Sequence, residues 1–576
     1  MLDIDKEKHK KCAKRIEALF DNYVEGKDVF INAYKSGTWD YPVILKEGVE
    51  PSREVPANTL QLMERVCEII NEEKYELDIY PNQIQVITDS QMLDLYASVG
   101  LPVSYNHWSF GKKRIELERN FEAGMGLAYE IVINTNPSIA YCMESNSMLM
   151  MGLVISHACY GHNSFFKGNF LFKGYTDADN IIKLQEEMRD FLEEAEMRVG
   201  VDEVEEFMDA VHALSLQSVS PAYKLDETKF FKEGEQPETS QYFNQYDKFF
   251  DERSETQDEF NRVAKSENAE QPLKGDMERN LLLYIAENSP VLPEWKRHVM
   301  RMYAKHQAYF HPQKQTQVMN EGWASFWHER FIRDMRSFDL LSDGMMMEFF
   351  NSHASVLKQP EFDETVTVMG PDGQPQERNI YSGWNPYALG YAMFHDIKRM
   401  CEEPTEEDKE YFPYRAGKGY WLDVMKDAMQ NYRDESFIQQ FLSPEVQRRF
   451  KLFDIMDDPD EENYIVAGIH DRAGFDRVRQ DFARQYRLGE QMPVIGVHEN
   501  YDRTDRRLVL RHERFNDIPL GPDTEEVLKH MKALWGYPVV LESVESDGCV
   551  AEKLSCPKNY GEERGGRRHQ RSLYPH

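Results

Sequence analysis

The sequence predicts an α+β protein. A mainly helical N-terminal body with a short sheet is followed by a small ferredoxin-like domain of βαββαβ order. Three observations lead there. Apolar residues recur at helical spacing through most of residues 8–440. One β-rich run, AYEIVIN at 128–134, is cut off by Asn and Pro. Beyond residue 460, short strand and helix candidates alternate.

Residues 1–90 read as helix, loop, helix. Leu19, Phe20 and Tyr23 form an apolar stripe, Pro51 and Pro56 mark a loop, and Asn58 is placed to cap a helix through Leu60, Leu62, Val66 and Ile69. After the 128–134 strand, Asn134, Asn136 and Pro137 supply turn chemistry. From Asn146 to about Phe166 the chain is apolar enough for a buried helix and carries two histidines. Residues 177–212 form one or two polar helices. Residues 225–276 are an acidic excursion studded with Phe230, Phe231, Tyr242, Phe243, Tyr246, Phe249 and Phe250. Dense helix returns over 278–350. Another helix opens at Asn385-Pro386.

The C-terminal domain is expected over 460–545. Its strands are Tyr464–Ile469, Val494–Val497, Leu508–Leu510 and Pro538–Leu541, and its helices are Asp471–Tyr486 and Thr524–Leu534. The Gly- and Arg-rich tail at 557–576 is expected to be disordered.

The composition narrows the function. At 41% hydrophobic and 12% aromatic residues, the 576-residue chain can build large cores and is not a mainly disordered protein. A net charge of -33 repels phosphate and argues against nucleic-acid binding. Seven cysteines, an odd number without a C-x-x-C pair, fit a reduced cytoplasmic setting. The N-terminus lacks the apolar core of a signal peptide. The longest apolar stretch, near Met148–Ile155, falls short of the ~20 residues of a membrane span. Nucleotide-binding P-loop, nucleophile-elbow and dinucleotide fingerprints are absent.

Chemistry concentrates in two segments, His157-Ala-Cys-Tyr-Gly-His162 and Asn320-Glu321-Gly-Trp-Ala-Ser-Phe-Trp-His328. At about 100° per residue, Glu321 and His328 fall about 20° apart on one helical face. His157 and His162 diverge by about 140° on a regular helix. They converge only if the helix ends at Gly161 or carries a π-bulge. Imidazole nitrogen and carboxylate oxygen are zinc ligands. The expected metal ligands are therefore His157, His162, Glu321 and His328, holding zinc or another divalent cation, with His328 alternatively a proton shuttle.

The Asn-Glu-Gly-Trp-Ala string resembles the distant-ligand segment of one branch of zinc peptidases. The His segment departs from theirs, because its spacing is one residue too long and Ala158 stands where the usual glutamate base would be. Glu130 and Glu144, flanking the Asn-Pro turn, are the candidates for that acid–base role. The competing interpretation is a buried polar network that only fixes packing. Cys159 suggests a weaker redox-sensing alternative.

Longer strings carry a resemblance to a known family. His107–Lys112 (HWSFGK), Tyr129–Tyr141 (YEIVINTNPSIAY), His157–Asn169 (HACYGHNSFFKGN), Met319–His328 (MNEGWASFWH) and Asn385–Gly390 (NPYALG) are similar to segments of the stage V sporulation protein R (SpoVR-like) proteins. The resemblance runs from about residue 8 to about residue 545. It implies a cytoplasmic protein linked to spore cortex formation and to stationary-phase or stress physiology. It also implies partnership with a PrkA-type serine protein kinase and a von Willebrand A-domain-like protein. It brings no settled reaction. Two functions therefore stand at this point, a metal-dependent hydrolase-like enzyme and a non-catalytic regulator or scaffold acting with the kinase.

Overall fold

A computed structural model describes residues 2–98, 100–122, 130–219, 280–361, 364–369, 374–380, 383–452, 454–457, 464–467, 471–498, 506–514, 518–545 and 548–556. The acidic excursion at 225–276 and the tail at 557–576 lie outside the described residues. The chain divides into two units. One combines Met1–Phe191 with Tyr309–Arg487, and the other combines Leu192–Ala308 with Leu488–His576.

The larger unit is built around one helix, Gln317–Ser337, hereafter the central helix. Trp323, Phe326, Trp327, Phe331 and Ile332 on it are fully buried. A helix apolar on most sides needs neighbours on most sides. These neighbours include the Met148–Gly168 segment and the Pro386–Glu402 helix. Trp323 donates its indole N–H to Ser164 Oγ at 2.9 Å and packs edge-on to Phe394. Trp323, Phe326 and Trp327 are thus core residues, as helical spacing in an apolar run implies.

Glycines set the closeness of this packing. A Cβ on Gly161 would sit 2.5 Å from Ala324 Cα, and one on Gly322 would overlap the backbone of Gly390. A Cβ on Gly390 would strike the Val318 carbonyl. The central helix therefore touches both neighbours backbone to backbone. No side chain fits between them.

The central helix has no side-chain cap of its own, since Thr316 supplies none. The cap comes from another helix, Asp434–Phe441. Asp434 accepts the Val318 and Met319 N–H groups at 2.9 and 2.8 Å and answers two of the helix's unpaired donors. Burial pushes this carboxyl up to about 7, against the pull of the backbone donors.

A three-stranded sheet flanks this core. Its strands are β1 (Asn82–Ile87), β2 (Glu130–Ile133) and β3 (Ser138–Met143) in the order β1-β3-β2, parallel for β1/β3 and antiparallel for β2/β3. The strand and turn expected around 128–137 are present, and β1 is an addition to the helix–loop–helix expectation for residues 1–90. Asn58 caps the Thr59–Ile70 helix through Leu60 and Gln61. The 177–212 region is a pair of helices, Ile181–Val199 and Val201–His212, broken at Gly200 with φ +95°. The Glu294–Gln315 helix carries Pro312 inside its last turn. The Pro312 carbonyl accepts from Thr316 Oγ1 near that end.

The remaining sheets of this unit are hairpins. One pairs β4 (Thr365–Met369) with β5 (Pro375–Asn379), and the other pairs β6 (Asp454–Asp457) with β7 (Tyr464–Ala467).

The second unit carries a four-stranded sheet of β8 (Val494–Val497), β9 (Leu508–Glu513), β10 (Val539–Val544) and β11 (Val550–Ser555), ordered β11-β10-β9-β8. β9 and β10 run parallel, joined by the Thr524–Trp535 helix, and the other two pairs are antiparallel. The α+β class holds, but the βαββαβ order does not. The expected first strand pairs with β6 instead, and the Arg472–Arg484 helix sends Phe482 and Ala483 into the larger unit's core. The sheet is ββαββ, extended past residue 545 by β11. No helix among the described residues is long and apolar enough to cross a membrane.

Two substitutions test this frame. Gly390→Ala should lower the unfolding midpoint in denaturant, at a cost of about 1–3 kcal/mol or more, because both backbones must part. Asp434→Ala should cost about 1–3 kcal/mol by leaving two buried N–H groups unpaired. Unchanged midpoints would contradict the packing and the cap, respectively.

Candidate metal centre

The Met148–Gly168 segment is not one regular helix. α-Helix runs Met148–Ile155, π-helix Ser156–His162, and α-helix Asn163–Gly168. The serines bracketing the π-helix bond back along the chain. Ser156 Oγ donates to the Gly152 and Leu153 carbonyls, and Ser164 Oγ donates to those of Tyr160 and Gly161. In a π-helix the i→i+5 bond closes one turn, so residues five apart come to one face. His157 and His162 accordingly stand together, with ring centroids 4.6 Å apart and planes at 87°.

Glu321, one turn into the central helix, meets them. Its Oε2 lies 3.8 Å from His157 Nε2 and 3.6 Å from His162 Nε2. One ligand atom from each of the three lies within 4.8 Å of the others. A tetrahedral zinc with bonds of ~2.1 Å has ligand–ligand edges of ~3.4 Å, so the triangle is close to coordination size. Oε2 is buried and has no hydrogen-bond partner. An unpaired buried carboxylate oxygen is costly, and a cation is the partner that fits this donor set.

Each candidate ligand is held from behind. His162 Nδ1 donates to Asn320 Oδ1 at 3.0 Å. His157 Nδ1 lies 2.9 Å from His328 Nδ1, and His328 Nε2 lies 2.8 Å from His353 Nδ1. The Tyr387 hydroxyl lies near Glu321 and helps hold its carboxyl down. Partners behind the ligands are the usual supporting layer of metal sites.

Burial opposes the Glu321 charge, but His162, His157 and Tyr387 outweigh it and hold the carboxyl below the usual range. Burial pushes the Glu130 carboxyl up, with Glu321 adding to it and His157 opposing. Burial takes His162 and His353 down to about 4 and holds His328 well below its ordinary value. For His157, burial is outweighed by Glu321 and Glu130, and its pKa rises.

The sequence-derived candidates separate clearly. His157, His162 and Glu321 come together, and Glu130 Oε1 on β2 lies 3.8 Å from His157 Nε2. His328 points both ring nitrogens at other histidines, so it stands behind His157 and outside the three-residue group. Glu144 is exposed, just beyond β3, and enters none of the cluster's hydrogen bonds. Its backbone carbonyl accepts from Trp39. His306 and His311 stay outside the cluster, and His311 Nε2 faces Gln315 Nε2 at 2.9 Å. His107 is buried just before the Trp108–Glu122 helix, its Nδ1 2.7 Å from Ser109 Oγ.

Sequence reasoning missed Asn320, His353 and Tyr387 as supporting residues. Tyr387 had a signal, since it opens the helix capped by Asn385 within the NPYALG string. A second network was also missed. Buried Glu329 accepts from Arg333 at 2.7 Å, Tyr391 at 2.8 Å and His395 at 2.9 Å. These donors overcome burial and take its carboxyl down to about 2.

Cys159 is buried and its thiol is pushed well up by burial, which leaves little thiolate for redox chemistry. Of the described cysteines, Cys549 alone is exposed. Brief treatment of the native protein with a thiol reagent should label Cys549 and leave Cys159 untouched. Labelling of Cys159 at a similar rate would revive the redox alternative.

Comparison with known proteins gives a consistent outcome. The profile described as SpoVR like protein matches residues 55–491, and that of the SpoVR-like C-terminal domain matches residues 493–546. The uncharacterized protein YcgB of Escherichia coli (strain K12) is 43% identical over 491 residues, which covers 84% of this chain and 92% of that protein. No solved structure matches.

Proposed function

The chain belongs to the SpoVR-like family, and on that footing we propose that its helical body is a metal-dependent hydrolytic centre. His157, His162 and Glu321 hold one divalent cation, zinc first. The observation that carries this reading is the buried, unpartnered Glu321 Oε2 facing two imidazole Nε2 atoms at 3.6 and 3.8 Å.

The cation would supply a water whose pKa is lowered to ~7 and an electrophile for a carbonyl oxygen. Glu130 supplies what the helix lacks at Ala158. It reaches the site from a strand, and burial raises its carboxyl above the ordinary carboxylate range, which suits a group that takes up and returns a proton. In that role it accepts a proton as water adds to the carbonyl carbon. It then gives the proton to the departing nitrogen as the C–N bond breaks. Amide and water become acid and amine. The spore-cortex link carried by the family resemblance makes peptides and amide-bearing cell-wall precursors the first substrates to assay.

The competing reading is a non-catalytic regulator beside a PrkA-type kinase and a von Willebrand A-domain-like partner, with the histidines as packing. A packing network pairs its buried oxygens. The orphaned Oε2 favours the metal.

Elemental analysis of the purified protein separates the two. About one zinc per chain, lost in His157→Ala and Glu321→Ala but kept in Glu130→Gln, is the expected result. Amide hydrolysis should fall by ~100-fold or more in Glu130→Gln, the scale of a general acid–base contribution. Iron in place of zinc would redirect the reading to oxygen chemistry, which the same two-His, one-carboxylate set also serves. Metal-free protein that still captures the kinase would favour the regulator.

A further inference from the structure

His157, His328 and His353 form a continuous row of three imidazoles, from the π-helix through the central helix to the Asp343–Val356 helix. The contacts are nitrogen to nitrogen, at 2.9 and 2.8 Å. Each neutral imidazole has one donor and one acceptor nitrogen, so a row of neutral rings has two self-consistent proton arrangements. In the first, His157 donates Nδ1–H to His328, and His328 donates Nε2–H to His353. His157 Nε2 then keeps a lone pair. In the second every bond is reversed, and His157 carries its proton on Nε2.

The surroundings discriminate between the two. The second arrangement aims a buried N–H at Glu321 and Glu130 oxygens that are each 3.8 Å away, beyond hydrogen-bond length. The first satisfies the same two contacts, carries its end proton on His353 Nε2 at the far end of the row, and leaves a lone pair facing the triangle. The neighbouring ligand has the same arrangement. The Asn320 amide oxygen, an acceptor only, fixes the His162 proton on Nδ1 and frees its Nε2.

We infer that His328 and His353 are positioning residues, whose row with His157 keeps that ring's proton on Nδ1 and presents its Nε2 lone pair to the centre. The consequence for metal affinity rests on the hydrolytic-centre reading above, whereas the proton placement does not. His328, on the same helical face as Glu321, thus acts through His157 and touches no reacting atom.

The test begins with metal-free protein carrying 15N-labelled histidine, held at a pH alkaline enough to keep all three rings neutral, since nearby Glu321 and Glu130 raise the His157 pKa. Long-range 1H–15N correlation reports which ring nitrogen bears hydrogen, with His157 and His328 assigned through His157→Ala and His328→Gln. The expected result is a proton on Nδ1 of His157 and on Nε2 of His328. A proton on Nε2 of His157 overturns the inference, whether or not metal binds.

The second arm is zinc titration against a competing chelator. His328→Leu should weaken zinc ~10–100-fold, the range for loss of a ligand's supporting partner. His328→Gln, whose amide oxygen accepts the same Nδ1–H, should recover most of that loss. His353→Leu, one ring further out, should lose less than His328→Leu and gives the comparison if that variant does not fold. Folded His328→Leu or His353→Leu protein that binds zinc with wild-type affinity would overturn the role. Wild-type protein that takes up no zinc would overturn the hydrolytic centre alone, because the ring spectra still decide the proton placement.

Discussion

The centre of this protein depends on backbone-to-backbone contact. Gly161, Gly322 and Gly390 let the π-helix, the central helix and the Pro386–Glu402 helix lie closer than side chains allow. Close-packed interiors do not yield to an added methyl without moving something. Here the parts that would move are the elements carrying His157, His162, Glu321 and Tyr387. Packing and chemistry therefore share the same three glycines.

The same tightness explains why so many polar groups are tolerated inside. His157, His162, His328 and His353 are all buried, and each makes a ring-nitrogen hydrogen bond to a side chain from another element. Asp434 does comparable work for the backbone at the start of the central helix. Lys74, Tyr75 and Asp334 form a further buried network between an N-terminal segment and the far end of that helix. Several buried polar atoms nonetheless lack a hydrogen-bond partner, Ser325 Oγ, Asp396 Oδ2 and Glu321 Oε2 among them. What sets the Glu321 oxygen apart is that it faces two imidazole Nε2 atoms, at 3.6 and 3.8 Å.

Much of this was legible in the chain. The apolar spacing and the caps at Asn58 and Asn385 mark helices where helices stand, because capping and periodicity are local properties. The five-residue gap between His157 and His162 was legible as a condition: the rings converge only through a helical defect, and a π-helix is present. Glu130 was visible only as one of two glutamates beside a turn. Strand alternation could not say which faced inward, and Glu144 faces solvent. His328 shares a helical face with Glu321, yet sharing a face does not decide which ring reaches the centre.

The sequence by itself determined the α+β class, the family strings, the helical segments that bear the site and the three residues that meet as a His–His–Glu cluster. Those follow from composition, spacing and short-range backbone preference. Tertiary structure alone decided that Glu130 arrives from a strand, that His328 stands behind His157 with His353 behind it, and that Tyr387 supports Glu321. It also decided that the Tyr464–Ala467 strand pairs with Asp454–Asp457 and not with the C-terminal sheet. These arrangements depend on the register between elements far apart in the chain. Long-range packing of large side chains and close-set glycines fixes that register, and no local pattern encodes it.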